Sequence, residues 1–381
     1  MSTLTLATIC AALIWFALIA YAVLGGADFG GGVWDLLARG SRAEKERAAI
    51  ANALGPVWEA NNVWLIFVIV LTWTTFPIVY AAISTALFIP LTLALVGIIF
   101  RGAAFGFRSA YGRRIGAAQA WGRVFSVASV ITPFLLGMVA GAIAGGDIRV
   151  HGQEVIANYW TTWTTPFAFA CGAFALGLCS VLAATYLTAE AQMNGDRDLI
   201  AIFLPRAIIA GAVTAVLGAI AAALARWEDP LLWSGLIGKA LPLSLGAVLV
   251  GLATAGALIL GGYRLARILV AAETALIIGA WGVAQYPYMV VPDLTVQNAA
   301  SPASTLTLAI ISSLIGLLIL LPSLWYLFVI FKIPTGAHPR ETAASFALSL
   351  QREQEDRVAS PTESKSAEMN DQAGAEHRAK Q

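Results

Sequence analysis

Long apolar runs alternate with short polar loops along this 381-residue chain. Runs able to cross about 30 Å of hydrocarbon fall near residues 6–27, 50–73, 78–100, 122–144, 163–187, 200–225, 240–262, 268–290 and 305–331. The pattern predicts an all-α polytopic membrane protein of about nine transmembrane helices, eight in two four-helix bundles plus one extra. Residues 1–335 then form the transmembrane domain. Residues 336–381, polar and almost without aromatics, read as a disordered cytoplasmic tail. The stretch Met1–Leu6 lacks the basic region of a cleaved signal peptide, so the first run is read as a retained helix.

Basic residues orient the array by the positive-inside rule. The first loop carries Arg39, Arg42, Lys45 and Arg47; the third Arg108, Arg113 and Arg114, flanked by Arg101 and Arg123. The fifth has Arg197 and Arg206, the seventh Arg264 and Arg267. Intervening loops hold only Arg149, or Arg226 with Lys239. The N-terminus is therefore expected outside and the C-terminal tail in the cytoplasm.

Composition sharpens the class. Hydrophobic residues make up 59% of the chain and charged residues 12%, about half the charged share of a soluble domain. A net charge of +1 argues against a nucleic-acid partner. Lys332 onward holds 7 basic and 8 acidic residues, leaving 16 and 14 for the first 331 positions. Cys10, Cys171 and Cys179 lie in apolar runs at a spacing that fits no metal motif, and read as small buried hydrophobes.

Few ionisable residues remain inside the runs. Trp58-Glu59-Ala60-Asn61-Asn62-Val63-Trp64 leads straight into seven apolar residues, so one helix carries a carboxylate and two amides. A charge at that depth costs on the order of 3 kcal/mol and tends to face protein or a water-filled path. A second acid, Asp28, sits in the glycine string Gly25-Gly26-Ala27-Asp28-Phe29-Gly30-Gly31-Gly32, which is expected to close the first helix. Asp28 and Glu59 flank the basic hairpin 41–47 symmetrically. If the two helices are antiparallel neighbours, both carboxyls lie about 10–15 Å below the cytoplasmic face. With Asn61 and Asn62 beside them they could open a proton relay; the plainer alternative is an ion pair with Arg101. The glycines are more often helix packing than chemistry. Glu273 is expected near a cytoplasmic helix end, snorkelling to the surface. Trp281, Tyr286 and Tyr288, with Pro287, Pro292 and Asp293, read as an aromatic interface belt.

Histidine usage excludes one chemistry from the runs. His151 falls in an outer loop, and His338 and His377 in the tail. Met138, Met193 and Met289 make no convincing axial pair, so the chain lacks the ligands that a membrane-buried haem needs.

The motifs Gly26–Gly32, Gly55-Pro56-Val57-Trp58-Glu59-Ala60-Asn61-Asn62-Val63-Trp64-Leu65, Phe76-Pro77, Tyr80-Ala81 and Phe100–Ser109 resemble subunit II of the cytochrome bd-type quinol oxidases. Ala184-Thr185-Tyr186-Leu187 and Tyr286-Pro287-Tyr288 also agree. The specific motifs lie in the first 110 residues, and the rest agrees in helix count and spacing to about residue 335. The resemblance implies a partner, subunit I, holding two b-type haems and one d-type haem. It also allows small accessory subunits and contacts with quinol and lipid, in a bacterial cytoplasmic membrane. Such a complex oxidises quinol and reduces dioxygen to water with cytoplasmic protons. By the same resemblance Glu59 belongs to the proton path, Asp28 matches the family's acid in the glycine string, and Arg101 and Asn61 match positions held by the same residue types. Asp28 and Asn61 are read into the path beside Glu59, and Arg101, Trp58 and Trp64 as structural or charge partners. Two departures stand out: many relatives have Asp at position 59, and many have an acid where this chain has Gly106. Competing readings are a proton-coupled secondary transporter, or a structural partner subunit whose acids only brace an interface.

Overall fold

A computed structural model describes residues 2–54, 58–110, 115–152 and 154–332. Twelve α-helices lie among the described residues: α1 (Thr3–Leu37), α2 (Ala43–Leu54), α3 (Trp58–Thr75), α4 (Pro77–Ala86), α5 (Phe88–Ala110), α6 (Ile115–Ala144), α7 (Pro166–Met193), α8 (Arg197–Glu228), α9 (Pro230–Ile237), α10 (Leu241–Ile259), α11 (Tyr263–Gln285) and α12 (Ala303–Lys332). Two short antiparallel hairpins, β1 (Arg149–His151) with β2 (Glu154–Ile156) and β3 (Tyr288–Val290) with β4 (Leu294–Thr295), occupy inter-helix loops.

Among the described residues seven helices are long and apolar enough to cross a membrane, and a bent pair of helices makes up to eight. The bent pair is α3 with α4, which turn through 118° at Phe76. The cause is Pro77, whose ring disfavours helical geometry in the residue before it; Phe76 sits at φ −136°, ψ 63°. Residues 88–104 of α5 form a shorter apolar helix. Each of the nine runs overlaps a helix, but the 78–100 run is divided between α4 and α5, and residues 55–57 of the 50–73 run lie outside the described residues.

The two expected bundles are present within the unit Met1–Ile319. Helices α1, α3, α5 and α6 meet through the pairs α1–α3, α1–α6 and α5–α6. Helices α7, α8, α10 and α11 meet through α7–α8, α10–α11, α7–α11 and α8–α10. The bundles join where α6 packs on α7 and where α1 lies against α7 and α11. The start of α12 is the extra helix: its Leu306 carbonyl accepts from the Cys10 thiol at 3.9 Å. The second unit, Leu320–Gln381, contributes the end of α12; the tail 336–381 lies outside the described residues. Large apolar side chains stay exposed along α8, α10 and α12, among them Ile209, Val216, Leu249, Leu252 and Leu318. Helices apolar on their outer faces suit lipid as solvent.

Three expectations are corrected. The glycine string does not close α1, which continues to Leu37 and ends before Gly40 at φ 79°; close packing on neighbouring helices keeps the string helical. The basic hairpin is largely helix α2, tied down by successive charges. Lys45 reaches Asp196 at 2.9 Å, Glu46 reaches Arg206 at 2.9 Å, and Arg47 donates to the Ala38 carbonyl at 2.9 Å. Glu273 is not near a helix end: it stands ten residues into α11, about 15 Å along it, half-buried against Gly251 of α10.

The aromatic cluster at the end of α11 does more than form a belt. Its loop is clamped to the β1–β2 hairpin by Arg149, which grips Asp293 at 2.9 and 3.2 Å. Asp229 accepts from Leu232 N at 3.1 Å, capping α9, yet burial pushes its carboxyl up to about 6. A carboxyl raised in the folded state loses stability for the protein as pH climbs from the unfolded value, about 3.9, to its own. Asp229→Asn keeps the capping oxygen and removes the ionisation. The expected result is a higher thermal midpoint than wild type at pH 7, with the gain shrinking at pH 4.

Candidate functional site

The glycines of α1 set the site's position by letting helices touch. A Cβ on Gly30 would strike the Cys179 carbonyl and Ala183 of α7, and one on Gly32 would strike Ser129 of α6. With those contacts made, Asp28 points between α5 and α6, 5% exposed. Its Oδ1 lies 2.5 Å from Nη2 of Arg101, itself 4% exposed. Arg101 Nε donates to Ser129 Oγ at 3.0 Å, and Ser129 donates on to the Phe125 carbonyl at 2.7 Å. The guanidinium lies over Phe29 at 4.6 Å and Phe125 at 5.2 Å from the ring centroids. Two charges thus meet in a buried setting, oriented by a hydroxyl and two aromatic faces.

Of the expected site residues, the structure brings Asp28 and Arg101 together, the plainer of the two arrangements expected for Asp28. Arg101 is interior to α5 rather than at its end. Asn61 is 5% exposed and donates to the Leu24 carbonyl of α1 at 3.2 Å. This bond sets α1 and α3 side by side, so the first turn of α3 stands level with the glycine string. Trp64 is 3% exposed, edge-on to Phe16 at 5.8 Å, and its indole N–H has no hydrogen-bond partner among the described residues. The side chains of Trp58 and Glu59 lie outside the described residues, although both belong to α3.

Several buried polar residues were not singled out from the sequence. Asp35, 3% exposed, accepts from Ser126 at 2.6 Å and lies 3.9 Å from Arg47. Glu46 and Arg206 form a second ion pair, with Arg206 over Trp34 at 5.6 Å. Trp34 in turn donates to the Ser180 carbonyl at 2.9 Å. A signal for Asp35 was available, since it follows Asp28 by seven residues and so shares its helix face.

Comparison with known proteins agrees with this architecture. The family model described as cytochrome bd terminal oxidase subunit II matches residues 6–331. The chain is 23% identical over 312 residues to the putative cytochrome bd menaquinol oxidase subunit II of Bacillus subtilis (strain 168), covering 80% of this chain and 89% of that one. It is 27% identical over 150 residues to cytochrome bd-I ubiquinol oxidase subunit 2 of Escherichia coli (strain K12), 38% of this chain and 39% of that one. The fold is shared with a chain of the bd oxidase from Geobacillus thermodenitrificans, at TM-score 0.73 and 23% identity, over 86% of this chain and 99% of that one. A match over nearly all of the membrane-embedded sequence, with the same helical architecture, leads to one assignment: the chain belongs to the cytochrome bd terminal oxidase subunit II family.

Proposed function

We propose that this chain is the haem-free subunit of a quinol-oxidising terminal oxidase, and that it lines part of the path carrying cytoplasmic protons to the oxygen-reducing site of a partner subunit. The observation that carries the reading is a buried, charge-balanced polar site, Asp28 with Arg101, held beside the α3 turn that bears Glu59. The haems of such a complex, two b-type and one d-type, supply electron transfer and oxygen reduction. The donor set of this chain does not suit them: no histidine lies in a helix among the described residues, and Met138 is packed in an apolar cluster. They are therefore assigned to subunit I.

Within this chain each group has a distinct role. Glu59 accepts and releases the proton. Asn61, fixed by the Leu24 carbonyl, keeps α3 against α1. Arg101 stays positively charged, so it acts as a fixed counter-charge to Asp28 and stabilises the buried pair. The chain is read as crossing the bacterial cytoplasmic membrane with its N-terminus outside.

The test is oxygen consumption per haem, with excess quinol, in the complex purified with its haem-bearing partner. Glu59→Gln keeps size but loses the titratable proton; Glu59→Asp keeps the proton. Full haem content with turnover reduced on the order of a hundredfold in Glu59→Gln, and near-normal turnover in Glu59→Asp, is the expected pattern. Undiminished turnover in Glu59→Gln would rule the relay out. A haem-free homo-oligomer with transport activity would establish the transporter reading instead.

A further inference from the structure

A polar file runs through the first bundle that the 58–64 motif does not include. On α1, Tyr21, Asp28 and Asp35 recur every seven residues, which places them on one stripe about 10 Å apart. All are buried, at 7%, 5% and 3% exposure. On α6, Ser126, Ser129 and Thr132 follow at three-residue spacing on one face, at 2%, 0% and 0%.

Polar contacts join Asp35 to Ser126, and Ser129 through Arg101 to Asp28. Ser126 donates to Asp35 Oδ2 at 2.6 Å; Ser129 accepts from Arg101 Nε at 3.0 Å; Arg101 meets Asp28 at 2.5 Å. The Tyr21 ring lies edge-on to Phe29 at 6.4 Å, and Phe29 is the ring on which Arg101 rests. One end of the file is near the surface, since Arg47, with 42% of its side chain exposed, lies 3.9 Å from Asp35. At the inner end, the hydroxyls of Tyr21 and Thr132 have no hydrogen-bond partner among the described residues. Buried hydroxyls in that state are destabilising and are the groups that internal water satisfies.

We propose that this file, Asp35, Ser126, Ser129, Asp28 and Tyr21, conducts protons from the Leu37 end of α1 to the membrane interior, with Tyr21 as its inner proton-carrying group. The proposal rests on the proton role proposed above and adds the route to it. Hydroxyls and carboxyls both accept and release protons, so each group takes one on one side and gives one up on the other, with no net chemical change. Internal water carries the proton past Arg101 from Ser129 to Asp28, and past Phe29 from Asp28 to Tyr21. Arg101 stays charged throughout and holds Asp28 in place. The Tyr21 hydroxyl has no hydrogen bond to lose among the described residues, which makes it the decisive position.

The experiment uses the purified complex with its haem-bearing partner. Tyr21→Phe deletes one unpartnered oxygen, so haem content and thermal midpoint should stay at wild-type values or rise. Oxygen uptake per haem and the accompanying proton uptake should fall about tenfold, equivalent to ~1.4 kcal/mol of barrier, with an enlarged solvent deuterium isotope effect. Asp35→Asn should fall likewise and Asp35→Glu should restore the rate. Wild-type turnover and an unchanged isotope effect in Tyr21→Phe would overturn the file, even if Asp35→Asn fails to assemble. A wild-type complex that reduces no oxygen would instead overturn the functional reading, and the file with it.

Discussion

Arg101→Met should cost the folded subunit about 3–5 kcal/mol, the loss seen when one partner of a buried ion pair is removed. Asp28 would be left 5% exposed with its carboxylate uncompensated, and Ser129 would lose its guanidinium donor. Met matches the length of the Arg stem and still packs between Phe29 and Phe125, so the loss is electrostatic rather than a cavity. Arg101→Lys keeps the charge but cannot reach Asp28 and Ser129 together through a planar fork, and should fall between the two. The double variant Arg101→Met with Asp28→Asn removes both charges and should recover most of the stability. Subunit yield after detergent extraction and the thermal midpoint of the complex check this order. A single variant as stable as wild type would show that the pair carries no weight.

Gly30→Val should prevent the subunit from accumulating. Any Cβ at position 30 runs into the Cys179 carbonyl and the Ala183 methyl. The obstacle is backbone, so no rotamer change relieves it, and α1 must separate from α7. Overpacking in ordinary cores costs about 1–3 kcal/mol, and a backbone clash at a helix crossing lies at or beyond the upper end. Gly30→Ala should already lower yield, whereas Gly106→Ala, where an added Cβ meets nothing within 4 Å, should be silent. Membrane levels of the tagged subunit, compared across the three, test the ranking. Normal accumulation of Gly30→Val would mean that α1 and α7 can part without penalty.

Sequence alone determined the solvent and the class of the fold. Nine apolar runs need internally satisfied backbone, and in lipid only helices provide that for such lengths. It also marked Asp28, Arg101 and Asn61, because polar groups in apolar runs stand out by cost. Element boundaries were less legible. The break between α4 and α5 interrupts the continuous 78–100 run, the bend at Phe76 turns α4 away from α3, and hydropathy does not register direction. The helical state of residues 25–32 was hidden as well. Glycine disfavours helix in water, and only the approach of α7 and α6 makes its missing side chain an advantage. What only the tertiary structure decided was pairing. Sequence spacing left open whether Asp28 pairs with Arg101, and the packing of α5 on α6 brings Asp28, Arg101 and Ser129 to the same point. Asp35, Glu46, Ser126 and Tyr21 belong to the same class of decision. Each is an ordinary polar residue near a loop or in a run until a helix distant in sequence covers it, and long-range packing of that kind leaves no local periodic trace.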